Sequence, residues 1–263
     1  MKESRKNLKL KAKRALLGRY PTAVGAMVLA GVFLVVMIAV IELGFIAAWG
    51  VSSGVWDEDT GLIVAIGVLG LLIMVFMILV SLLLPGYLRL YLNICQGREA
   101  GVLDIFWGFG HHGGKFFVMG LLFALLCAVL SAPQIVLTAA MVISEEALFP
   151  IIFLLLYGIF LGILEVYVVL TYGQVYLVLA DNPDIPILEA LKESKRLMKG
   201  NRGRFFVLGL SFLGWLLILY ITLGYAALWL IPYIMCTNIF FYLNLKELSG
   251  PAPVSASGGW DLE

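Results

Sequence analysis

Polar and apolar positions along this chain separate into long blocks. Apolar runs cover roughly residues 21–49, 61–94, 116–143 and 148–180, and a longer one covers 205–245. A helix needs about 20 apolar residues to cross the hydrocarbon core of a bilayer. The first four runs therefore predict one span each. The last predicts two, with Thr222-Leu223-Gly224 as the turn between them. The predicted spans are about 21–47, 61–85, 116–143, 148–178, 205–221 and 225–244.

Between the runs the period changes to that of an amphipathic helix. In the segment 184–200, Ile187, Leu188, Leu191, Lys195 and Met198 follow helical spacing, with Lys192, Arg196 and Lys199 on or beside the other face. Asp184 is a predicted cap, Pro186 fits the first turn, and Gly200 is a stop. The helix is too short and too polar to span. Its pattern predicts an interfacial position, with the apolar stripe in the acyl boundary and the cations at anionic headgroups. The alternative is a solvated connector packed on the bundle. Residues 1–20 repeat the design: Leu8, Ala12, Ala15 and Leu16 form the stripe, Lys6, Lys9, Lys13 and Arg14 surround it, and Gly18 ends it. A third, more aromatic version lies at 102–110, with Leu103, Ile105, Phe106 and Phe109. The candidate anionic-lipid contacts are Lys9, Lys13, Arg14, Lys192, Arg196, Lys199, Arg202 and Arg204.

These segments reveal an internal repeat. Residues 114–121 read GKFFVMGL and residues 203–210 read GRFFVLGL, 89 positions later and identical at six of eight. Gly18-Arg19-Tyr20 is a fainter counterpart. Two hairpin ends also agree, Pro85 with Tyr91-Leu92-Asn93 and Pro232 with Tyr242-Leu243-Asn244. The expected fold is therefore an all-α polytopic bundle of six transmembrane helices. It comprises three parallel helical-hairpin units, each preceded by a cytoplasmic interfacial helix.

Charge sets the orientation. All 18 Lys and Arg fall on one side of a six-span arrangement, while Asp57, Glu58, Asp59, Glu145 and Glu146 fill the opposite loops. Cytoplasmic loops carry the Lys/Arg excess, so both termini are expected in the cytoplasm of a plasma-membrane protein. Composition agrees: 62% of residues are hydrophobic and 13% charged, with a mean hydropathy of +1.02. The basic start and the run after it are too long for a secretory signal peptide. Residues 249–263, SGPAPVSASGGWDLE, predict a disordered tail. Cys95, Cys127 and Cys236 have no paired spacing and are expected to be reduced thiols.

One ionisable residue lies deep in a predicted span. A carboxylate at the position of Glu165 is costly and marks a site or an internal pair. Gly158 and Gly162 share its helix face and form a close-packing motif. Glu165 is therefore predicted to point at protein or at a cavity. Tyr172 and Tyr176 continue the face. The candidate intramembrane polar site is Glu165, Tyr172 and Tyr176, able to coordinate a cation, relay protons or bind a polar headgroup. The alternative is a structural Glu165 hydrogen-bonded to a neighbouring helix. Glu42 falls at the outer interface, and Gln134, Gln174 and Asn238 are candidate helix bridges. The adjacent His111 and His112 lack the spaced partners of a zinc site. No Ser-His-Asp set, HExxH, P-loop or CxxC pair is visible. No cofactor, metal or nucleic acid is expected, and no enzymatic activity.

Four further motifs stand in the second half of the chain: Ala180-Asp181-Asn182-Pro183, Ser194 with Leu197-Met198-Lys199-Gly200, Ser211-Phe212-Leu213-Gly214-Trp215, and Leu228-Trp229-Leu230-Ile231-Pro232-Tyr233. Together they resemble a bacterial membrane family known as domain of unknown function 975. The basic N-terminal helix ending LLGRY is similar too. A more distant likeness is to the membrane domain of some glycerophosphodiester phosphodiesterases. The resemblance implies a multi-span bacterial plasma-membrane protein and brings no activity and no functional residue. Two functions remain open from the sequence. One is a non-enzymatic accessory or scaffold protein with lipid-facing interfacial helices, contacting membrane lipids and a membrane or cytoplasmic protein. The other is a small transporter or lipid-binding permease using the face around Glu165.

Overall fold

The computed structural model describes residues 2–55, 58–110, 113–143 and 148–250. Asp57, His111, His112, Glu145, Glu146 and residues 251–263 of the tail lie outside the described residues, as do the side chains of Glu58, Asp59 and Cys127. Every described element is helical. In order they are α1 (Arg5–Leu16), α2 (Tyr20–Val55), α3 (Glu58–Cys95), a 3-10 turn (Val102–Phe106) running into α4 (Trp107–Gly110), and α5 (Gly113–Ile143). Then follow α6 (Leu148–Tyr172), α7 (Val175–Asp181), α8 (Ile187–Met198), α9 (Arg202–Leu210), α10 (Leu213–Ile221) and α11 (Ala227–Ser249). Among the described residues five helices are long and apolar enough to cross a membrane, or six if the bent pair Val102–Gly110 and Gly113–Leu126 is one span.

The central element is α3, which touches α1, α2, α4, α5, α7 and α11. It is longer than the expected span 61–85 because Pro85 does not end it. A proline removes one backbone donor and crowds the preceding turn, but here tertiary contact holds both sides of the break. A Cβ added to Gly86 would lie 2.1 Å from the Ile105 carbonyl oxygen. One added to Gly108 would lie 2.0 Å from the Leu82 carbonyl oxygen. Two glycines therefore let the 102–110 segment lie backbone to backbone on α3. Beyond the proline, the fully buried Tyr91 donates its hydroxyl to the Ala23 carbonyl at 3.0 Å, tying α3 to α2. Tyr91→Phe is expected to cost about 1 kcal/mol, the usual net worth of one such bond. A thermal melt in detergent checks it, and an unchanged midpoint contradicts that role for the hydroxyl.

The two amphipathic helices bury their apolar faces against protein. α1 packs Leu8, Ala12 and Leu16 on α11 and α3. Its first turn is capped by Ser4, whose Oγ accepts from the Asn7 N–H at 3.2 Å. Gly18 stops it at φ +77°, a left-handed conformation that glycine adopts without strain. α8 turns Ala190, Ser194, Leu197 and Met198 inward onto α6, α7 and α11. Leu188, placed on the apolar stripe from sequence, is 69% exposed. α8 begins at Ile187 with Pro186 extended before it, and Asp184 does not cap it. Because a residue preceding proline is pushed out of the helical region, the helix starts only after Pro186. Gly200, at φ +76°, follows its end as the spacing predicts.

Three cations link the start of one helix to the end of another. The Arg19 guanidinium, just before α2, donates to the carbonyls of Ile94 (3.3 Å), Gly97 (3.2 Å) and Arg98 (2.8 Å) at the end of α3. Lys115, at the start of α5, donates to Pro183 (2.7 Å) and Ile185 (3.3 Å) beyond α7. Arg204, at the start of α9, donates to the Asn201 side chain (2.9 Å), the Glu3 carbonyl (2.9 Å) and the Asn244 side chain in α11 (3.2 Å). Helix C-termini carry unpaired carbonyls and partial negative charge, which is why basic residues suit these places.

Two expected spans are interrupted. α6 and α7 are separated at Gly173 and Gln174, and the buried Gln174 amide donates to Asn238 in α11 at 3.1 Å. Both residues were candidate helix bridges in the sequence, which did not pair them. α9 and α10 break at Ser211 and Phe212, and Lys9 of α1 answers the break. Its ammonium donates to the Ser211 carbonyl at 3.1 Å and sits 4.0 Å from the Phe212 ring centroid. α10 and α11 meet at the expected turn, where Thr222 Oγ1 accepts from the Ala226 N–H at 3.1 Å.

Candidate functional site

The candidate polar stripe lines one groove. Glu165 and Tyr172 of α6 and Tyr176 of α7 face a space of about 450 Å³ between α6 and α5. α5 contributes Phe123, Leu126 and Leu130; α6 adds mainly Leu and Val. The register explains the wall: positions 161, 164, 165, 168 and 172 recur at helical spacing on one side of α6. Tyr176 also stands beside Phe116 and Phe123, with ring centroids 6.4 and 6.1 Å away. Tyr176 and Phe123 are shared with a second space of about 520 Å³ between α3 and α5, lined by Met74, Met77, Ser81 and Phe117 among others. The two rings form a partition between the spaces. Phe123 is invisible to a search for polar chemistry in the sequence, because its role comes from where α5 passes Tyr176.

Glu165 itself is exposed to the groove. Among the described residues, none forms a hydrogen bond or ion pair with its carboxylate. Gly158 and Gly162 are open: nothing described lies within 4 Å of a Cβ built on either. The helix face expected to press against protein is thus bare at its glycines, while the neighbouring Tyr157 donates its hydroxyl to the Leu130 carbonyl of α5 at 2.5 Å.

The candidate cations divide into two groups. Lys9 is spent on Ser211 and Phe212, and burial, then the nearby Arg5, holds its ammonium below the ordinary lysine value. Arg196 pairs with Glu193 through two bonds of 2.7 Å, and that hydrogen bond holds its guanidinium above the ordinary value. Arg202 lies 5.1 Å from the Tyr167 ring centroid, and Arg204 is committed to Glu3, Asn201 and Asn244. Lys13, Arg14, Lys192 and Lys199 are exposed on α1, on α8 and at the residue after α8. A further pairing was not foreseen: Asp181 accepts from the Tyr242 hydroxyl at 2.9 Å and from the Lys246 ammonium at 2.6 Å, fastening α7 to α11. Its members stand 61 and 65 positions apart in the chain, so no local pattern announces them.

A family model described as protein of unknown function (DUF975) matches residues 1–249. The chain belongs to that family. No curated protein and no solved structure matches, so the likeness to glycerophosphodiester phosphodiesterases finds no support there.

Proposed function

We propose that this family member is a non-enzymatic accessory protein of the bacterial plasma membrane that presents a rigid basic surface to anionic lipid headgroups. In this reading the chain crosses the membrane six times as three parallel hairpin units, with both termini, α1 and α8 in the cytoplasm. The observation that carries the reading is the state of the basic helices. Lys13, Arg14, Lys192 and Lys199 project from segments whose apolar faces are buried in the bundle. Charges held on packed helices keep their positions relative to one another, and each lysine or arginine near an anionic surface is worth about 1 kcal/mol. The repeat is supported by Arg19, Lys115 and Arg204, each of which joins the first helix of its unit to the end of the returning one. A membrane or cytoplasmic protein partner fits the same surface.

The test is native mass spectrometry of protein extracted gently from its own membrane. The variant Lys13→Gln, Arg14→Gln, Lys192→Gln, Lys199→Gln is expected to lose most co-purified anionic lipid while its melting midpoint is unchanged. Equal lipid retention in the variant would refute the headgroup role. A second reading, a small transporter or lipid-binding permease, is favoured by one observation, the open groove into which Glu165 faces.

A further inference from the structure

We propose that the groove between α5 and α6 binds a hydrophobic cation, with Glu165 as its counter-ion and Phe123, Tyr172 and Tyr176 as its aromatic wall. This rests on the groove reading just given and names the ligand class for it. Glu165 stands near mid-span, about 21 Å from Ile151 and about 24 Å from Asp181 at 1.5 Å per residue. A carboxylate at that depth is costly and needs a compensating group. Among the described residues no other lining residue is charged and none pairs with Glu165. Arg202 does reach α6, but it stacks on Tyr167, which does not line the groove.

The shape and lining narrow the chemistry. A space of about 450 Å³ lies within the range of small-molecule sites. Its walls are apolar except for the carboxylate and two phenols, so a strongly hydrated small amine would lose its water for little return. A cation whose charge is wrapped in hydrocarbon, such as a quaternary ammonium or phosphonium centre, gives up little hydration. Aromatic faces attract such a charge within about 6 Å. An anionic amphiphile would set its charge against Glu165 with no cation among the described lining residues to offset it. A second copy of this chain seated by the same face would bring a second Glu165 toward the first.

The experiment uses the full chain in phosphatidylcholine nanodiscs and measures equilibrium binding of radiolabelled tetraphenylphosphonium. Saturable binding near one per chain is expected, weakened at least tenfold by Glu165→Gln and retained by Glu165→Asp. Dodecyltrimethylammonium should compete and dodecyl sulfate should not. Leu164→Trp, which fills the groove beside the carboxylate, should abolish binding, so the proposal does not depend on the folding of one variant. Nanodiscs doped with a double-chain trimethylammonium lipid separate a ligand from the leaflet, which then competes at low mole fraction, from one arriving through water. Absent saturable binding, or equal binding by wild type and Glu165→Gln, overturns the cation. If a neutral amphiphile binds saturably and Leu164→Trp blocks it, the groove reading survives and only the charge class falls. A change of oligomeric state in Glu165→Gln, with no cation bound by wild type, overturns both by showing a second copy in the groove.

Discussion

Gly108→Ala is expected to be among the most damaging single substitutions in the described chain, at about 3 kcal/mol. Over-packing a filled interior costs about 1–3 kcal/mol, and this site falls at the upper end because of what the new methyl meets. It would lie 2.0 Å from the Leu82 carbonyl oxygen and 2.6 Å from the Pro85 ring. Neither is the free end of a flexible side chain. To make room, the 102–110 segment must lift off α3, and with it the contact of Ile105, which is 1% exposed. The measurement is the temperature at which the buried Cys236 thiol becomes reactive in detergent. Gly114→Ala is the comparison, since nothing lies within 4 Å of a Cβ there. Equal midpoints for the two variants would show that the close approach is not a constraint.

Arg204→Gln is expected to cost about 2 kcal/mol and to loosen α1 in particular. Hydrogen bonds to a charged group are worth about 1.5–3 kcal/mol each, but this guanidinium is only partly buried and solvent screening reduces the return. Its bonds to the Glu3 carbonyl and the Asn244 side chain converge with a third, the Glu3 N–H donated to the same Asn244 oxygen at 3.2 Å. Losing the cation removes the common hub between the chain start, α9 and α11. Limited proteolysis should cut the variant before or within α1 well before the wild type is cut. If α1 stays protected and the midpoint holds, packing of Leu8, Ala12 and Leu16 alone fastens it. Arg202→Gln should do less, because the Nε of Arg202 has no hydrogen-bond partner among the described residues.

Features that depend on local pattern were legible in the chain. The long apolar helices, the turn at Thr222-Leu223-Gly224 and the stops at Gly18 and Gly200 follow from hydropathy, period and backbone freedom, which neighbouring residues settle among themselves. The stripe of Glu165, Tyr172 and Tyr176 was legible as one helix face for the same reason, and the three do line one space. The pattern could not say what that face meets. Gly158 and Gly162 read as a packing motif because small residues permit close approach, yet permission is not contact, and both are open. The amphipathic stripes likewise read as lipid-facing in the sequence, yet the apolar residues of α1 and α8 are buried against protein, since either surface hides them from water.

What the sequence determined by itself is a chain of five to six long apolar helices joined by short polar segments, because transfer of apolar groups from water to lipid is additive along the chain. What only the tertiary structure decided is pairing. It seated α1 and α8 on the bundle, carried α3 past Pro85 through two glycine contacts, and drew Asp181 to Tyr242 and Lys246. It also left Glu165 facing a groove, with no partner among the described residues. Pairing depends on which surfaces meet across many tens of residues, and the energy of a contact exists only once both sides are in place.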